Sequence, residues 1–256
     1  MLFQKKIFLI GFTQKLKKMN KYILLTILTF TLISCNLNKT NPIFIQGGGS
    51  LDDWANLAKY EKSNSELINL KSNERVVFMG NSITENWITF NPDFFSDNPY
   101  INRGIGGQTT PQMLIRFKPD VVNLKPKSVV ILAGINDIAE NTGPMKINNI
   151  AENIFSMSEI AIANNIEVFI CSVLPAKAFP WSPNIKPTKK VVELNSILKD
   201  FCLKNNINYV DYYTIMDDGK GGLKVPEHTS ADDLVHPNIE GYKVMEKIIV
   251  KALNEN

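Results

Sequence analysis

The sequence predicts an α/β fold with a five-stranded parallel sheet and helices on both faces. Three observations lead there. Short apolar runs rich in β-branched residues alternate with longer segments of helical periodicity, the pattern of βαβ units. The run Ser128 to Ala133 is almost wholly apolar, as a strand covered on both faces must be. Polar or glycine-bearing turns follow the runs, at Gly80-Asn81-Ser82, Gly104-Ile105-Gly106-Gly107 and Gly134-Ile135-Asn136-Asp137. In such sheets ligands bind beyond the carboxyl ends of the strands, near a topological switch point. At 256 residues the chain suits one domain with a short extension.

The extension comes first. Lys15, Lys17, Lys18 and Lys21 precede the apolar run Tyr22 to Ile33. That run is short for a bilayer and suits a secretory h-region. Met19 is the expected start, since a normal signal peptide begins there. The run ends Leu32-Ile33-Ser34-Cys35, which resembles the lipobox of bacterial lipoprotein signals. The resemblance implies diacylation of Cys35 as the mature N-terminus. An uncleaved anchor is the alternative, but it gives no reason for a cysteine there. Residues 1–35 are therefore read as a signal peptide with lipobox and residues 36–49, polar and Gly-rich, as a flexible tether. Acyl chains would attach the protein firmly to a membrane. The expected location is the bacterial cell envelope, periplasmic or surface-exposed.

Residues 50–256 form the domain. Ser50-Leu51-Asp52-Asp53 reads as a helix start, with Leu51, Trp54, Ala55 and Ala58 on the apolar face. The first core strand is Arg75 to Met79. Gly80 ends it, and Ile83 to Ile88 can turn helical. A second, shorter strand covers about Tyr100 to Asn102. A helix follows over about Thr110 to Val122, with Met113, Leu114, Phe117 and Val121 on one face. The third strand is Ser128 to Ala133, and a long helix spans about Ile147 to Asn164. The fourth strand, Glu167 to Val173, leads into a Pro-rich loop, Leu174 to Pro187. A helix over about Lys189 to Lys204 precedes the fifth strand, Asn208 to Tyr212. The last helix starts near Asn238, with Ile239, Tyr242, Met245, Ile249 and Ala252 along one side.

Composition narrows the function. The net charge of +3 comes largely from the first 25 residues. No later Lys/Arg run has aromatics interleaved for stacking on bases, so no nucleic-acid partner is expected. With Cys35 lipidated, two of the three cysteines remain. Cys171 in a strand and Cys202 in a helix read as buried free thiols; a disulfide between them is the alternative in an oxidising compartment. No Cys/His spacing marks a zinc site, and neither metal nor cofactor is expected.

The segments after the strands carry acyl-transfer chemistry. Ser82 lies where a strand turns sharply into a helix, which holds a side chain out at the sheet edge. A simpler reading makes Ser82 only the helix N-cap, a position serine favours. A serine hydroxyl needs a base, and His236 can serve. Asp233, three residues earlier, can hold the imidazole in one tautomer; Asp232 is a rival at a less usual spacing. The other histidine, His228, has no carboxylate so spaced. The Ser82 N–H, the Gly107 N–H and the Asn136 side-chain amide are candidates for stabilising the oxyanion.

Four ordered blocks resemble the SGNH/GDSL hydrolases: Gly80-Asn81-Ser82, Gly107 in its glycine-rich turn, Gly134-Ile135-Asn136-Asp137, and Asp233-Leu234-Val235-His236. The likeness covers roughly residues 72 to 253. It implies a flavodoxin-like three-layer α/β/α sandwich and a serine esterase whose triad is Ser82, His236 and Asp233. Asn81 stands where the family usually has aspartate. The Gly-x-Ser-x-Gly elbow of α/β-hydrolases is absent, because Thr84 replaces its last glycine. Asn102 to Leu114 resembles the branch holding brain platelet-activating-factor acetylhydrolase subunits and bacterial carbohydrate acetyl esterases.

The expected substrate is a small-molecule or glycan ester with a short acyl group, acetyl above all. No long apolar lid for a fatty chain is evident, and an envelope enzyme meets polysaccharides. Trp181, in the loop after the fourth strand, can stack on a sugar ring or pack on the domain surface. A lysophospholipase or thioesterase of the same family is the nearest alternative. A non-catalytic glycan-binding lipoprotein is an alternative of another class, but it has no need of Ser82, Asn136, Asp233 and His236 together.

Overall fold

Five strands, β1 (Val76–Gly80), β2 (Tyr100–Gly104), β3 (Ser128–Leu132), β4 (Glu167–Cys171) and β5 (Asn208–Val210), form one sheet in the order β2-β1-β3-β4-β5. Every pair is parallel. This is the flavodoxin-like order, with its switch point between β1 and β3. The structure, a computed structural model of the chain, describes residues 49–68 and 74–255. The expected signal peptide, Cys35 and nearly all of the tether lie outside the described residues. Among the described residues no helix is long and apolar enough to cross a membrane.

The helices are α1 (Ala58–Ile68), α2 (Ser82–Phe90), α3 (Pro92–Ser96), α4 (Thr110–Asp120), α5 (Ile135–Ile138), α6 (Ile147–Ala163), α7 (Pro187–Asn205), α8 (Tyr213–Met216) and α9 (Ile239–Asn254). Strand β1 is buried at all five positions, which its apolar residues predict. On one face Phe78 of β1 meets Trp87 of α2 and both phenylalanines of α3 edge to ring, and Trp87 reaches Tyr242 of α9. On the other face α4, α6 and α7 pack side by side, with Phe155 stacked on Phe201. Right-handed crossovers require this split, because β1→β2 runs opposite to the later connections.

The structure departs from the expected elements in places that have local causes. No helix opens at Ser50. Residues 50–57 turn instead, Asn56 takes φ 55°, and Asp53 accepts from Leu57 N at 2.7 Å and Ala58 N at 3.0 Å. The cap therefore serves a helix starting at Ala58, and Leu51 is 71% exposed rather than on an apolar face. Helix α4 stops at Asp120, short of Val122, because Val121 leaves helical geometry (φ −125°, ψ −67°) and Val122–Leu124 tighten into a 3₁₀ turn. Strand β4 ends at Cys171, short of Val173. There the Asn195 side chain replaces a neighbouring strand, accepting from Val173 N at 2.7 Å and donating to Val173 O at 2.9 Å. Cys171 and Cys202 are free and buried, so the disulfide alternative does not hold. Burial pushes the Cys202 thiol up to about 12 and the Cys171 thiol upward too.

One buried carboxylate sets the level of α4. Asp137, 1% exposed, accepts from Thr110 N at 2.9 Å and Thr110 Oγ1 at 2.6 Å. It thus ties α5 to the first turn of α4, where negative charge is favoured. Burial nevertheless pushes its carboxyl up to about 6, against the pull of those hydrogen bonds. A raised carboxyl pKa favours the folded state when protonated. Its contribution is full below the unfolded value of about 3.9 and is lost as pH rises to about 6. We predict that wild type loses ~2–3 kcal/mol relative to Asp137→Asn between pH 4 and pH 7. Urea denaturation of both proteins at the two pH values measures this; a difference that stays flat, or grows in favour of wild type as pH rises, contradicts it.

Candidate active site

The sharp turn after β1 is made by Gly80 and Asn81. A Cβ on Gly80 would stand 1.9 Å from Thr84 Oγ1 in the first turn of α2, so only glycine lets the helix start this close to the strand. Asn81, 1% exposed, is the N-cap: its Oδ1 accepts from Ile83 N at 3.3 Å. An amide oxygen caps as well as a carboxylate does, which accounts for asparagine at this position. Ser82 is the first residue of α2 and not its cap, so its hydroxyl is released from that duty.

That hydroxyl meets His236. Ser82 Oγ lies 2.8 Å from His236 Nε2. On the far side of the ring, His236 Nδ1 lies 2.9 Å from both carboxylate oxygens of Asp233. The loop that presents them is stiffened locally. Asp233 Oδ1 accepts from His236 N at 2.8 Å and Val235 N at 3.1 Å, and Thr229 Oγ1 donates to His236 O at 2.7 Å. Leu234 takes φ 65°, a conformation a branched side chain adopts only when its surroundings impose it. It folds the carboxylate back under the imidazole. Asp232 is exposed and has no hydrogen-bond partner among the described residues. His228 is buried with an unpaired Nδ1 and lies outside the cleft.

Opposite the serine are the candidate oxyanion donors. Gly107 adopts φ 76°, which glycine takes without penalty. Its N–H, like that of Ser82, makes no hydrogen bond among the described residues. Asn136, in α5, donates one N–H of its amide to Gln108 O at 3.0 Å, which fixes the side chain and leaves the second N–H available.

Ser82, Gly107, Asn136, Trp181 and His236 line one cleft of about 200 Å³, together with Asn141. Trp181 is 42% exposed, with its ring tilted on Phe179 at 5.2 Å and 6.2 Å from the His236 ring. It packs on Phe179 and stands at the rim of the cleft beside His236. Sequence reasoning missed Asn141. Its Nδ2 donates to Gly107 O at 3.1 Å and its Oδ1 accepts from Trp181 Nε1 at 3.2 Å, joining the glycine turn to the tryptophan. No motif spacing marks it; its only sequence signal is an amide shortly after the Gly-x-Asn-Asp block.

Residues 78–244 match the GDSL-like lipase/acylhydrolase family. Among solved structures, a candidate acylhydrolase from Bacteroides fragilis is 51% identical, with TM-score 0.76, covering 79% of this chain and 98% of that one. A GDSL-like lipase from Bacteroides thetaiotaomicron is 46% identical, with TM-score 0.75, covering 78% and 98%. An uncharacterized lipoprotein of Bacillus subtilis, YqeF, is 25% identical over 156 residues; the match takes in 54% of this chain and 64% of that protein's length. The family match spans more than half of the chain and takes in Ser82, Gly107, Asn136, Asp233 and His236: the chain belongs to the GDSL-like lipase/acylhydrolase family.

Proposed function

We propose that the protein is a serine esterase that removes short acyl groups, acetyl above all, from carbohydrates at the cell envelope. The observation that carries this is the line Ser82 Oγ, His236 Nε2, His236 Nδ1, Asp233 carboxylate, with the hydrogen bonds at either side of the ring 2.8 and 2.9 Å long. Ser82 Oγ attacks the ester carbonyl carbon while His236 Nε2 takes the hydroxyl proton. Asp233 accepts from Nδ1–H and so keeps Nε2 free to be the base. The carbonyl oxygen becomes an oxyanion held by the Ser82 N–H, the Gly107 N–H and the Asn136 amide, donors already in position before charge develops. Collapse breaks the bond to the alcohol, which leaves with the proton from His236. Water, deprotonated by His236, then releases the acid and restores Ser82.

Size supports the short acyl group. A cleft of about 200 Å³ falls below the roughly 300–1,000 Å³ of ordinary small-molecule pockets. That volume is small for a fatty chain, which weighs against the lysophospholipase and thioesterase readings. Trp181 at the rim offers a flat face to a sugar ring, with its N–H already paired to Asn141. The likeness to YqeF, a lipoprotein, supports the anchor at Cys35, which the sequence pattern around it first indicates.

Hydrolysis of p-nitrophenyl esters by residues 36–256 tests the reaction. We expect turnover of the acetate, a fall as the acyl chain passes about four carbons, each further methylene forfeiting the ~0.8 kcal/mol that burial would give, and a loss of at least about 10⁴-fold in Ser82→Ala. Full activity in Ser82→Ala would sink the mechanism; a preference for long chains would move the substrate to lipids. In the same assay Asp233→Ala should lower kcat by about 10⁴-fold and Asp232→Ala hardly at all, and the reverse ranking would reassign the carboxylate. In the full chain Cys35→Ala should move the protein from the membrane fraction to the soluble one. Unchanged mass and fractionation would refute the lipid anchor.

A further inference from the structure

Behind the cleft, and touching no reacting atom, lies a guanidinium with no exposure at all. Arg116 of α4 is 0% exposed. Its Nη2 donates to Gly80 O at 2.8 Å, its Nε to Gln108 Oε1 at 2.5 Å and its Nη1 to Asp120 Oδ2 at 2.9 Å. The first acceptor is the last carbonyl of β1, directly before Asn81-Ser82. The second is the side chain directly after Gly107. The backbone oxygen of that same Gln108 accepts from Asn136. One planar fork therefore holds the serine turn and the Gly107 turn at once, and through Gln108 it bears on all three candidate oxyanion donors.

We infer that Arg116 is a positioning residue, resting on the proposed site: it sets the gap between the Ser82 and Gly107 amides into which the oxyanion fits. Stability alone is a poor reason for it. A buried ion pair costs desolvation that its attraction hardly repays, and apolar residues of like volume often do as well. Arginine is suited to the geometric role because its donors are fixed in one plane and can address separate acceptors at set distances. Lysine, a single point donor on a flexible stem, keeps the charge opposite Asp120 but cannot span Gly80 O and Gln108 Oε1 together. The fork is itself braced: Asp120 Oδ1 accepts from Asn64 Nδ2 at 2.7 Å, and Arg103 Nε donates to Asn64 Oδ1 at 2.9 Å. Gln108 is anchored at its other end through Nε2 to Ala55 O at 2.7 Å.

The test uses Arg116→Lys, which keeps the buried charge, and Gln108→Met, which keeps Arg116 with both its other partners. The number of competent sites in each preparation is counted by stoichiometric reaction with diisopropyl fluorophosphate, so that misfolded protein is not scored. Per competent site, kcat for p-nitrophenyl acetate should fall by up to roughly 10²-fold, the cost of an ångström of misplacement, with KM unchanged and the shape of the pH–rate profile unaltered. Inhibition by phenylboronic acid, which makes a tetrahedral adduct on the serine, should weaken in parallel with kcat. If Arg116→Lys does not fold, Gln108→Met decides. Wild-type kcat per competent site in the folded variants, or a loss confined to KM, overturns the inference. A wild-type protein that neither reacts with the fluorophosphate nor cleaves esters overturns instead the proposed site on which it rests.

Discussion

Strand β1 is hydrogen-bonded on both sides, and that double pairing decides where the functional loops begin. Gly80 is level with Gly104 on one side and with Leu132 on the other. Each strand ends at the same height, so the residues just beyond all emerge at one edge: Ser82 after β1, Gly107 after β2, Asn136 after β3. The parallel register is itself forced by burial. A one-residue slip would turn each side chain of β1 into the opposite helix layer, and Phe78 would lose its packing on Trp87, Phe94 and Phe95. The loop bearing Asp233 and His236 then has to close a separation of 154 residues. It arrives from the far side of the sheet by way of the segment after β5, and α9 carries the chain away across the same layer as α2, with Tyr242 OH donating to Ile83 O at 2.8 Å.

Polar groups behind the edge hold its parts in place. Asp137 fixes α5 against the start of α4, Arg116 spans the turns after β1 and β2, and Asn141 links the Gly107 turn to Trp181. Asp137 and Arg116 are costly groups to bury, and each is satisfied by partners from another element. They lie beneath the carboxyl ends of the strands, while the middle of the sheet is apolar. Such a distribution suits a site that must present donors at fixed positions to charge that exists only during reaction, because donors that need not reorganise are worth most there.

Much of this was legible in the sequence, for identifiable reasons. Apolar runs buried on both faces are hard to mistake, so all five strands and the longer helices α2, α4, α6, α7 and α9 could be read within a few residues, while the short helices α3, α5 and α8 were not. Three of the four candidate site blocks could be read because they directly follow strands, where the fold brings loops together; the fourth, Asp233 to His236, lies well past β5 and just before α9. Most of what escaped has a common cause. The end of β4 and the roles of Arg116, Asn141 and Asn195 depend on side chains reaching across the structure to groups outside their own turn of chain, whereas the start of α1 is set by a local cap, Asp53 accepting from Leu57 N and Ala58 N. Asn195 lies in the middle of a helix and replaces a strand partner for Val173; nothing in its own neighbourhood announces that. Ser82 was ambiguous for a nearer reason. Whether a serine at a helix start caps the helix or faces a cleft depends on its neighbour, and here Asn81 takes the cap.

The central claim is that His236 makes Ser82 a nucleophile. Its most direct measurement is the rate of phosphorylation by diisopropyl fluorophosphate, followed by intact mass and located by peptide mapping, in wild type and in His236→Ala. The account predicts a single adduct on Ser82 in wild type and a rate lower by orders of magnitude in His236→Ala, since an unassisted serine hydroxyl is a weak nucleophile. An adduct on another residue, or equal labelling rates in the two proteins, would contradict it.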